Sequence, residues 1–116
     1  MAVKRIVRDV AAPDPKLADA FYGDLLGLDV LMDFGWIRTY GGPAETRVQI
    51  SIASEGGSGT PVPDLSIEVD NVDEIQRRAR AAGFEITYPL TDEPWGVRRF
   101  FVRDPFGQIV NILGHT

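Results

Sequence analysis

The sequence contains no cysteine and only one histidine, His115, among its 116 residues. The lack of cysteine excludes disulfide bonds, thiolate metal sites and cysteine nucleophiles. The single histidine lies in no motif that would place a serine nucleophile and an acid beside it. Several of the commonest catalytic and metal-binding chemistries are therefore absent from this chain.

The sequence also lacks a long apolar run and an excess of positive charge. Nowhere do about 18 apolar residues follow one another, and residues 1–5 lead directly into a short apolar strand, so neither a membrane span nor a secretory signal is readable. Twelve basic residues against seventeen acidic ones give a net charge of −5, which disfavours nucleic acid as a partner. These features predict a soluble, cytoplasmic protein that binds neither membranes nor nucleic acid.

Each half of the chain follows the same pattern. Asp14 opens a helical stretch that Gly27 ends, and Asn71 opens a second that Gly83 ends. Strands precede and follow each helix, so each half reads βαβββ; the predicted strands are 7–12, 28–33, 36–40, 46–53, 65–69, 84–88, 98–103 and 108–113. The pattern predicts an α+β fold, in which two βαβββ repeats form a curled mixed sheet around a cavity. The chain is one domain over 1–116, with repeat one at 1–53, a linker at 54–63 and repeat two at 64–116.

Spacing predicts which side chains each element buries. Leu17, Phe21 and Leu25 recur every fourth residue and should form the buried stripe of the first helix. The glycine-rich linker favours an extended or mobile crossing between the halves. Alternation along 65–69 places the apolar residues against the second helix and their neighbours on the cavity face; the residues expected on the cavity face are Val7, Asp9, Ala11, Asp64, Ser66 and Glu68.

Three segments carry a recognisable pattern: Asp14 with Ala20-Phe21-Tyr22 and Leu26-Gly27, then Val69-Asp70-Asn71-Val72, then Phe101-Val102-Arg103-Asp104-Pro105-Phe106-Gly107-Gln108. Together they resemble the vicinal oxygen chelate superfamily, which includes glyoxalase I, extradiol dioxygenases, fosfomycin-resistance enzymes and metal-free bleomycin-resistance proteins. They occur in the superfamily's order and span nearly the whole chain. The resemblance implies the vicinal oxygen chelate fold.

In metal-dependent members, the metal ligands come from the first and last strands of each half. The resemblance assigns those positions to Val7, Gln49, Asp64 and Asn111, with Ser51 as an alternative to Gln49. Valine cannot ligate a metal, and one carboxylate with two neutral amides is a weak set for a divalent ion. The resemblance therefore implies a member with no metal and no other cofactor.

Two tryptophans, Trp36 and Trp95, are each open to two interpretations. Each could pack in a core or a subunit interface, or the two could form flat walls for a planar ligand. Tyr40 alternates with Trp36 on one face of a strand, and that face could line the cavity, meet solvent or contact a partner subunit. The acidic residues Asp9, Asp64 and Glu68 either converge to attract a cation, or are solvated or paired with Arg98 and Arg99.

The combined interpretation is a glyoxalase-like, bleomycin-resistance-like protein that binds or sequesters a planar drug-like compound, and cationic compounds are among the expected ligands. The protein is expected to act as a homodimer in antibiotic resistance. The expected ligand-binding residues are Trp36, Tyr40, Gln49, Asp64, Trp95 and Asn111, with no catalytic residue. One alternative is a metal-dependent lyase, isomerase or dioxygenase of the glyoxalase type, with His115 or a partner subunit supplying the missing ligands. The other is a regulatory module with a vestigial pocket.

Overall fold

The computed structural model describes residues 2–43 and 49–116. The chain forms two compact units, here called the N-terminal unit, residues 7–62, and the C-terminal unit, residues 1–6 and 63–116. Strand β1 (Val3–Ala11) runs through both units, and Asp70 fixes its beginning, since its carboxylate accepts a hydrogen bond from the amide of Ala2 at 2.9 Å. None of the described helices is long and apolar enough to cross a membrane.

The N-terminal unit contains residues 7–11 of β1, followed by two short helical segments and three strands. The helical segments are a 3₁₀ turn (Pro15–Ala18) and a π-helical stretch (Asp19–Leu25), and the strands are β2 (Asp29–Asp33), β3 (Ile37–Gly41) and β4 (Gln49–Ala53). The strand order is β2-β3-β4-β1, with β1 and β4 parallel and the other pairs antiparallel. Residues 46–48 of the predicted fourth strand lie outside the described residues.

The C-terminal unit repeats this plan with a regular α-helix. It contains β5 (Leu65–Val69), α1 (Val72–Ala81), β6 (Ile86–Asp92), β7 (Val97–Arg103) and β8 (Ile109–His115). Its strand order is β5-β8-β7-β6, with β5 and β8 parallel and the other pairs antiparallel. Both units therefore follow the βαβββ plan, and the predicted α+β class is confirmed.

The helix α1 begins and packs as its sequence predicts. The side chain of Asn71 accepts a hydrogen bond from the amide of Glu74 at 3.3 Å, which caps the first turn. Arg77 and Arg78 bind the Glu74 carboxylate and lower its pKa to about 2. The opposite face packs against one side of the sheet, and this core consists of Leu65, Ile67, Val69, Val72, Ile75, Ala79, Ile86, Leu90, Phe100, Val102, Val110 and Ile112.

The buried stripe predicted for the first helix is wrong. Leu17, Phe21 and Leu25 are 74%, 52% and 68% exposed. The amide of Leu26 bonds the carbonyl of Phe21, five residues back, so the segment has the wider turn of a π-helix and the side chains no longer share the face that a 3.6-residue period predicts. A polar contact attaches this segment to the sheet instead, because the Asp19 carboxylate binds Arg38 at 2.9 Å and the Tyr40 hydroxyl at 2.5 Å.

The glycine-rich segment after β4 is a closed turn, not the extended or mobile crossing that its composition favours. The amide of Gly56 bonds the carbonyl of Thr60 at 2.8 Å, and the amide of Thr60 bonds the carbonyl of Gly57 at 3.0 Å. A Cβ atom on Gly56 would lie 2.1 Å from the carbonyl oxygen of Pro61. Gly56 is therefore required by the close approach of two chain segments.

Candidate functional site

One side of the C-terminal sheet carries polar and aromatic side chains instead of the apolar core. Because Phe100 and Val102 pack against α1, their neighbours on β7 point to the other side. Strand pairing places Asn111 directly opposite both Ser66 and Phe101. This surface is called the polar face below and comprises Ser66, Glu68, Arg99, Phe101 and Asn111.

Asn111 has an unsatisfied acceptor on this face. The residue is 7% exposed, and its side-chain amide nitrogen donates to the Ser66 hydroxyl at 3.1 Å. Its Oδ1 atom is buried and has no hydrogen-bond partner among the described residues. Since an unpaired buried acceptor costs about 1 to 3 kcal/mol, the site favours a group that donates a hydrogen bond to this oxygen.

A buried ion pair lies beside Phe101 on the polar face. The Arg99 guanidinium contacts the Glu93 carboxylate at 2.7 Å, and both side chains are 3% exposed. The Tyr88 hydroxyl donates to the same carboxylate oxygen at 3.1 Å. The guanidinium carbon of Arg99 lies 5.2 Å from the centre of the Tyr88 ring, 5.0 Å from that of Trp95 and 4.8 Å from that of Phe101. Three rings and one carboxylate therefore surround a single internal cation.

Trp95 lies on the hairpin turn between β6 and β7. The amide of Glu93 bonds the carbonyl of Val97 at 2.8 Å, and Gly96 adopts a φ of 90° between them. Trp95 is half-buried, and its ring stacks on the Arg99 guanidinium. Two of the predicted ligand-binding residues are thus connected through Phe101, since Asn111 lies opposite Phe101 in the sheet and the Arg99 guanidinium lies over the rings of both Phe101 and Trp95. The sequence did not predict Arg99, Glu93, Tyr88 or Phe101 as ligand-binding residues.

The predicted acidic residues of the C-terminal unit are paired within the chain. Asp64 accepts a hydrogen bond from the amide of Ile109 at 2.8 Å, which fixes the beginning of β8. Glu68 contacts Arg5 at 3.2 Å and the His115 ring at 2.8 Å. Among the described residues, neither carboxylate pairs with Arg98 or Arg99. Arg98 binds Asp73 and Asp92, and Arg99 binds Glu93. The charge of Glu68 is therefore paired within the chain, whereas Asp64 is held by a backbone hydrogen bond.

The N-terminal unit has an equivalent polar surface. Ser51 lies opposite both Asp9 and Thr39, as Asn111 lies opposite Ser66 and Phe101. The Thr39 and Ser51 hydroxyls are buried and 2.7 Å apart. Strand pairing thus makes Ser51 the counterpart of Asn111, and Gln49 lies two residues earlier on the same face, half-buried and opposite Gly41.

Tyr40 points to the opposite side of that sheet from Gln49. It is fully buried, contacts the Tyr22 ring at 5.7 Å and donates its hydroxyl hydrogen to Asp19. Burial and this hydrogen bond raise the pKa of Tyr40 to about 12, while Arg38 and Tyr40 together lower the pKa of Asp19. Tyr40 therefore anchors the helical segment and does not share a surface with Gln49.

Trp36 immediately precedes β3 and is half-buried, with its ring 6.3 Å from that of Phe34. Its carbonyl accepts a hydrogen bond from the amide of Ser54 at 2.9 Å. Phe34 itself is 45% exposed. Trp36 and Phe34 thus form an aromatic pair at the turn between β2 and β3.

The residues at the expected metal positions do not fit a metal ion. Val7 is a buried aliphatic side chain, and the Asp64 carboxylate binds a backbone amide. Among the described residues there is no cluster of three or more histidine, aspartate or glutamate side chains that could hold a metal. Divalent ions require such clusters or a substrate that supplies further oxygens.

Comparison with known proteins identifies a family and a set of similar folds. The family model of the Glyoxalase/Bleomycin resistance protein/Dioxygenase superfamily matches residues 3–112. A structure of NAD-dependent benzaldehyde dehydrogenase from Legionella pneumophila is 19% identical with a TM-score of 0.77, covering 96% of this chain and 99% of that one. Methylmalonyl-CoA epimerase from Mycobacterium tuberculosis is 19% identical with a TM-score of 0.69, covering 98% and 87%.

A glyoxalase/bleomycin resistance protein/dioxygenase superfamily member from Vibrio splendidus is 15% identical with a TM-score of 0.67, covering 99% of this chain and 100% of that one. No curated protein sequence matches the chain. At these identities the solved structures show a shared fold.

Proposed function

The chain belongs to the glyoxalase, bleomycin resistance protein and dioxygenase superfamily, and we propose that it binds a planar, drug-sized organic compound without a metal ion. Sequestration of such a compound in the cytoplasm is the mode of action that we propose, in the manner of the bleomycin-resistance proteins that the sequence resembles. The observation that supports the proposal best is the buried, unpartnered Oδ1 of Asn111, a residue that lies opposite Phe101 in the sheet.

The polar face offers the two kinds of group that a small-molecule site combines. Trp95, which is half-buried, supplies aromatic surface, and Asn111 supplies a directed polar group. A planar compound that stacks on an aromatic ring and donates one hydrogen bond to Oδ1 of Asn111 would satisfy both. The ligand is therefore expected to carry an amide, amine or hydroxyl group beside its planar part.

A metal-dependent reaction of the glyoxalase type is less well supported by the same residues. Asn111 and Asp64 provide one amide and one carboxylate, and that carboxylate accepts a backbone hydrogen bond. His115, the imidazole that could complete a ligand set, contacts Glu68 through Nδ1 at 2.8 Å. The proposed function specifies a planar ligand with a hydrogen-bond donor and does not specify the charge of that ligand.

Binding should be measured by isothermal titration calorimetry with a panel of planar compounds that carry or lack an amide donor. Asn111→Leu, which keeps the branched shape but removes the acceptor, should weaken the donor-bearing compounds by about tenfold, a loss of about 1.4 kcal/mol. Compounds without a donor should bind the variant with nearly unchanged affinity. Affinities should be equal in EDTA and in excess manganese, zinc or nickel.

The matched control is Gln108→Leu, because Gln108 is exposed on the turn before β8. It should leave all affinities unchanged. Binding that requires an added metal would overturn the proposal in favour of a metal-dependent enzyme. A panel that shows no binding at all would favour a regulatory module with a vestigial pocket.

We also propose that two copies of the chain associate through the N-terminal unit. This unit exposes seven large apolar side chains on its helical segments, on β2 and on the turn after β2, at 43% to 74% exposure; they are Leu17, Phe21, Leu25, Leu26, Val30, Leu31 and Phe34. An apolar surface of several hundred square ångströms on a soluble protein typically marks an interface. A second copy that covers these side chains would remove them from water.

Phe21→Glu tests this association, because it places a charge among the exposed apolar side chains. We expect the variant to elute as a monomer in size-exclusion chromatography with light scattering, while the unsubstituted protein elutes as a dimer. The control is Phe106→Glu, since Phe106 is 87% exposed on the turn before β8 in the C-terminal unit. A dimer that persists in Phe21→Glu would contradict the proposed interface.

A further inference from the structure

The polar face contains an arrangement of aromatic rings that normally recognises a cation. Tyr88, Trp95 and Phe101 place their ring centres within 5.2 Å of one guanidinium carbon, and the Glu93 carboxylate lies 2.7 Å from the same group. Several aromatic faces around a carboxylate form the type of cage that binds ammonium ligands in other proteins. Here the side chain of Arg99 occupies the cage.

This occupancy changes what the rings can bind. The face of an aromatic ring attracts cations because its quadrupole presents negative potential there. The Arg99 guanidinium already lies over all three rings, so the negative potential of the ring faces stabilises this internal cation. Glu93 is likewise matched by Arg99 and by the Tyr88 hydroxyl. A second cation at Trp95 would gain less from the ring and would meet the positive charge on its far side.

We infer that Arg99 determines the specificity of the site by selecting neutral or anionic planar compounds over cationic ones. The inference rests on the proposed function and names the charge class of its ligand. It replaces the expectation of a cationic ligand, because Glu68, one of the acidic side chains behind that expectation, is paired with Arg5 and His115. Arg99 acts through the rings, of which Tyr88 and Trp95 are half-buried and Phe101 is buried.

The test uses three compounds of nearly equal shape and different charge, 2-naphthoate, 2-naphthamide and 2-naphthamidinium. Isothermal titration calorimetry should show that the amidinium binds about three- to tenfold more weakly than the amide, a factor that lies within the range of cation–π interactions. The carboxylate has no donor for Oδ1 of Asn111 and should bind more weakly than the amide, so the comparison that tests the inference is between the amide and the amidinium. Repeating the titrations in 0.5 M salt, where the Debye length falls to about 4 Å, separates the local effect of Arg99 from the protein's overall negative charge.

The variant that isolates Arg99 removes both members of the buried pair. In Glu93→Gln with Arg99→Met the cage loses its internal cation without leaving a buried carboxylate, and the affinity of the amidinium relative to the amide should rise by about the same three- to tenfold factor. Arg98→Met is the matched control, because Arg98 precedes Arg99 in the sequence but binds Asp73 and Asp92 outside the cage. In Arg98→Met the affinity of the amidinium relative to the amide should equal that of the unsubstituted protein.

A second variant keeps the test decisive if the doubly substituted chain does not fold. Trp95→Leu leaves the ion pair intact, and it should weaken all three compounds and reduce the difference between amide and amidinium. An amidinium that binds the unsubstituted protein as tightly as the amide overturns the inference and leaves the proposed function standing. Failure of all three compounds to bind overturns the proposed function and this inference together.

Discussion

Phe100→Ala should destabilise the fold by about 3 to 5 kcal/mol. Phe100 is fully buried on β7, and its ring packs with Val69, Val110 and Ile112 beneath α1. The substitution removes apolar contact area and leaves a cavity that a sheet and a helix cannot easily close. Urea unfolding followed by circular dichroism measures the change in the free energy of unfolding.

Phe21→Ala is the matched control, because the same atoms are removed from a residue that is 52% exposed. Its cost should stay below about 1 kcal/mol when measured on the monomer at low protein concentration. Equal costs at the two positions would show that the helical segment Asp19–Leu25 packs its apolar side chains inward, as the sequence spacing predicts and the structure contradicts.

The second half of the chain was predictable because its signals are local. Asn71 and Glu74 form the start of α1, Gly83 ends it with a φ of 82°, and the apolar residues between them follow a 3.6-residue period. Each of these features depends on a few neighbouring residues. The strand β5 was likewise assigned with its observed bounds, since its alternation is regular.

The first helix was mispredicted because its attachment depends on residues distant in sequence. Asp19 binds Arg38 and Tyr40, which lie on a strand that begins a dozen residues after the helical segment ends. Spacing by four predicts a buried stripe only if the backbone has 3.6 residues per turn, and the π-helical turn removes that condition. A polar contact of this kind leaves no periodic pattern for sequence reasoning to detect.

Only part of the candidate site was predicted from the sequence. Asn111 and Trp95 were found from the resemblance and from the loop position of the tryptophan, and their binding roles stay predictions. Arg99 was considered only as an ion-pair partner of Asp9, Asp64 or Glu68, whereas the structure pairs it with Glu93. The alternation of Phe100 and Val102 with Arg99 and Phe101 was the available signal, since it places Arg99 on the side of the sheet away from α1.

The ion pair beneath Trp95 should show strong energetic coupling in a double-mutant cycle. Arg99→Met leaves the Glu93 carboxylate buried without its guanidinium partner, and breaking a buried pair in this way costs about 3 to 5 kcal/mol. Glu93→Gln leaves the Arg99 charge without its carboxylate, and it should be similarly destabilising. The doubly substituted chain, Glu93→Gln with Arg99→Met, removes both charges and should lie within about 1 to 2 kcal/mol of the unsubstituted protein.

The measurement is the free energy of unfolding in urea for all four chains, from which the coupling follows by difference. Arg98→Met serves as the control, because an ion pair that is partly exposed to water contributes only about 0 to 1 kcal/mol. Additive effects of the two single substitutions would mean that Glu93 and Arg99 are stabilised independently by their other contacts. In that case the aromatic rings, and not the carboxylate, would hold Arg99 in place, and Glu93→Gln alone would leave the orientation of Trp95 unchanged.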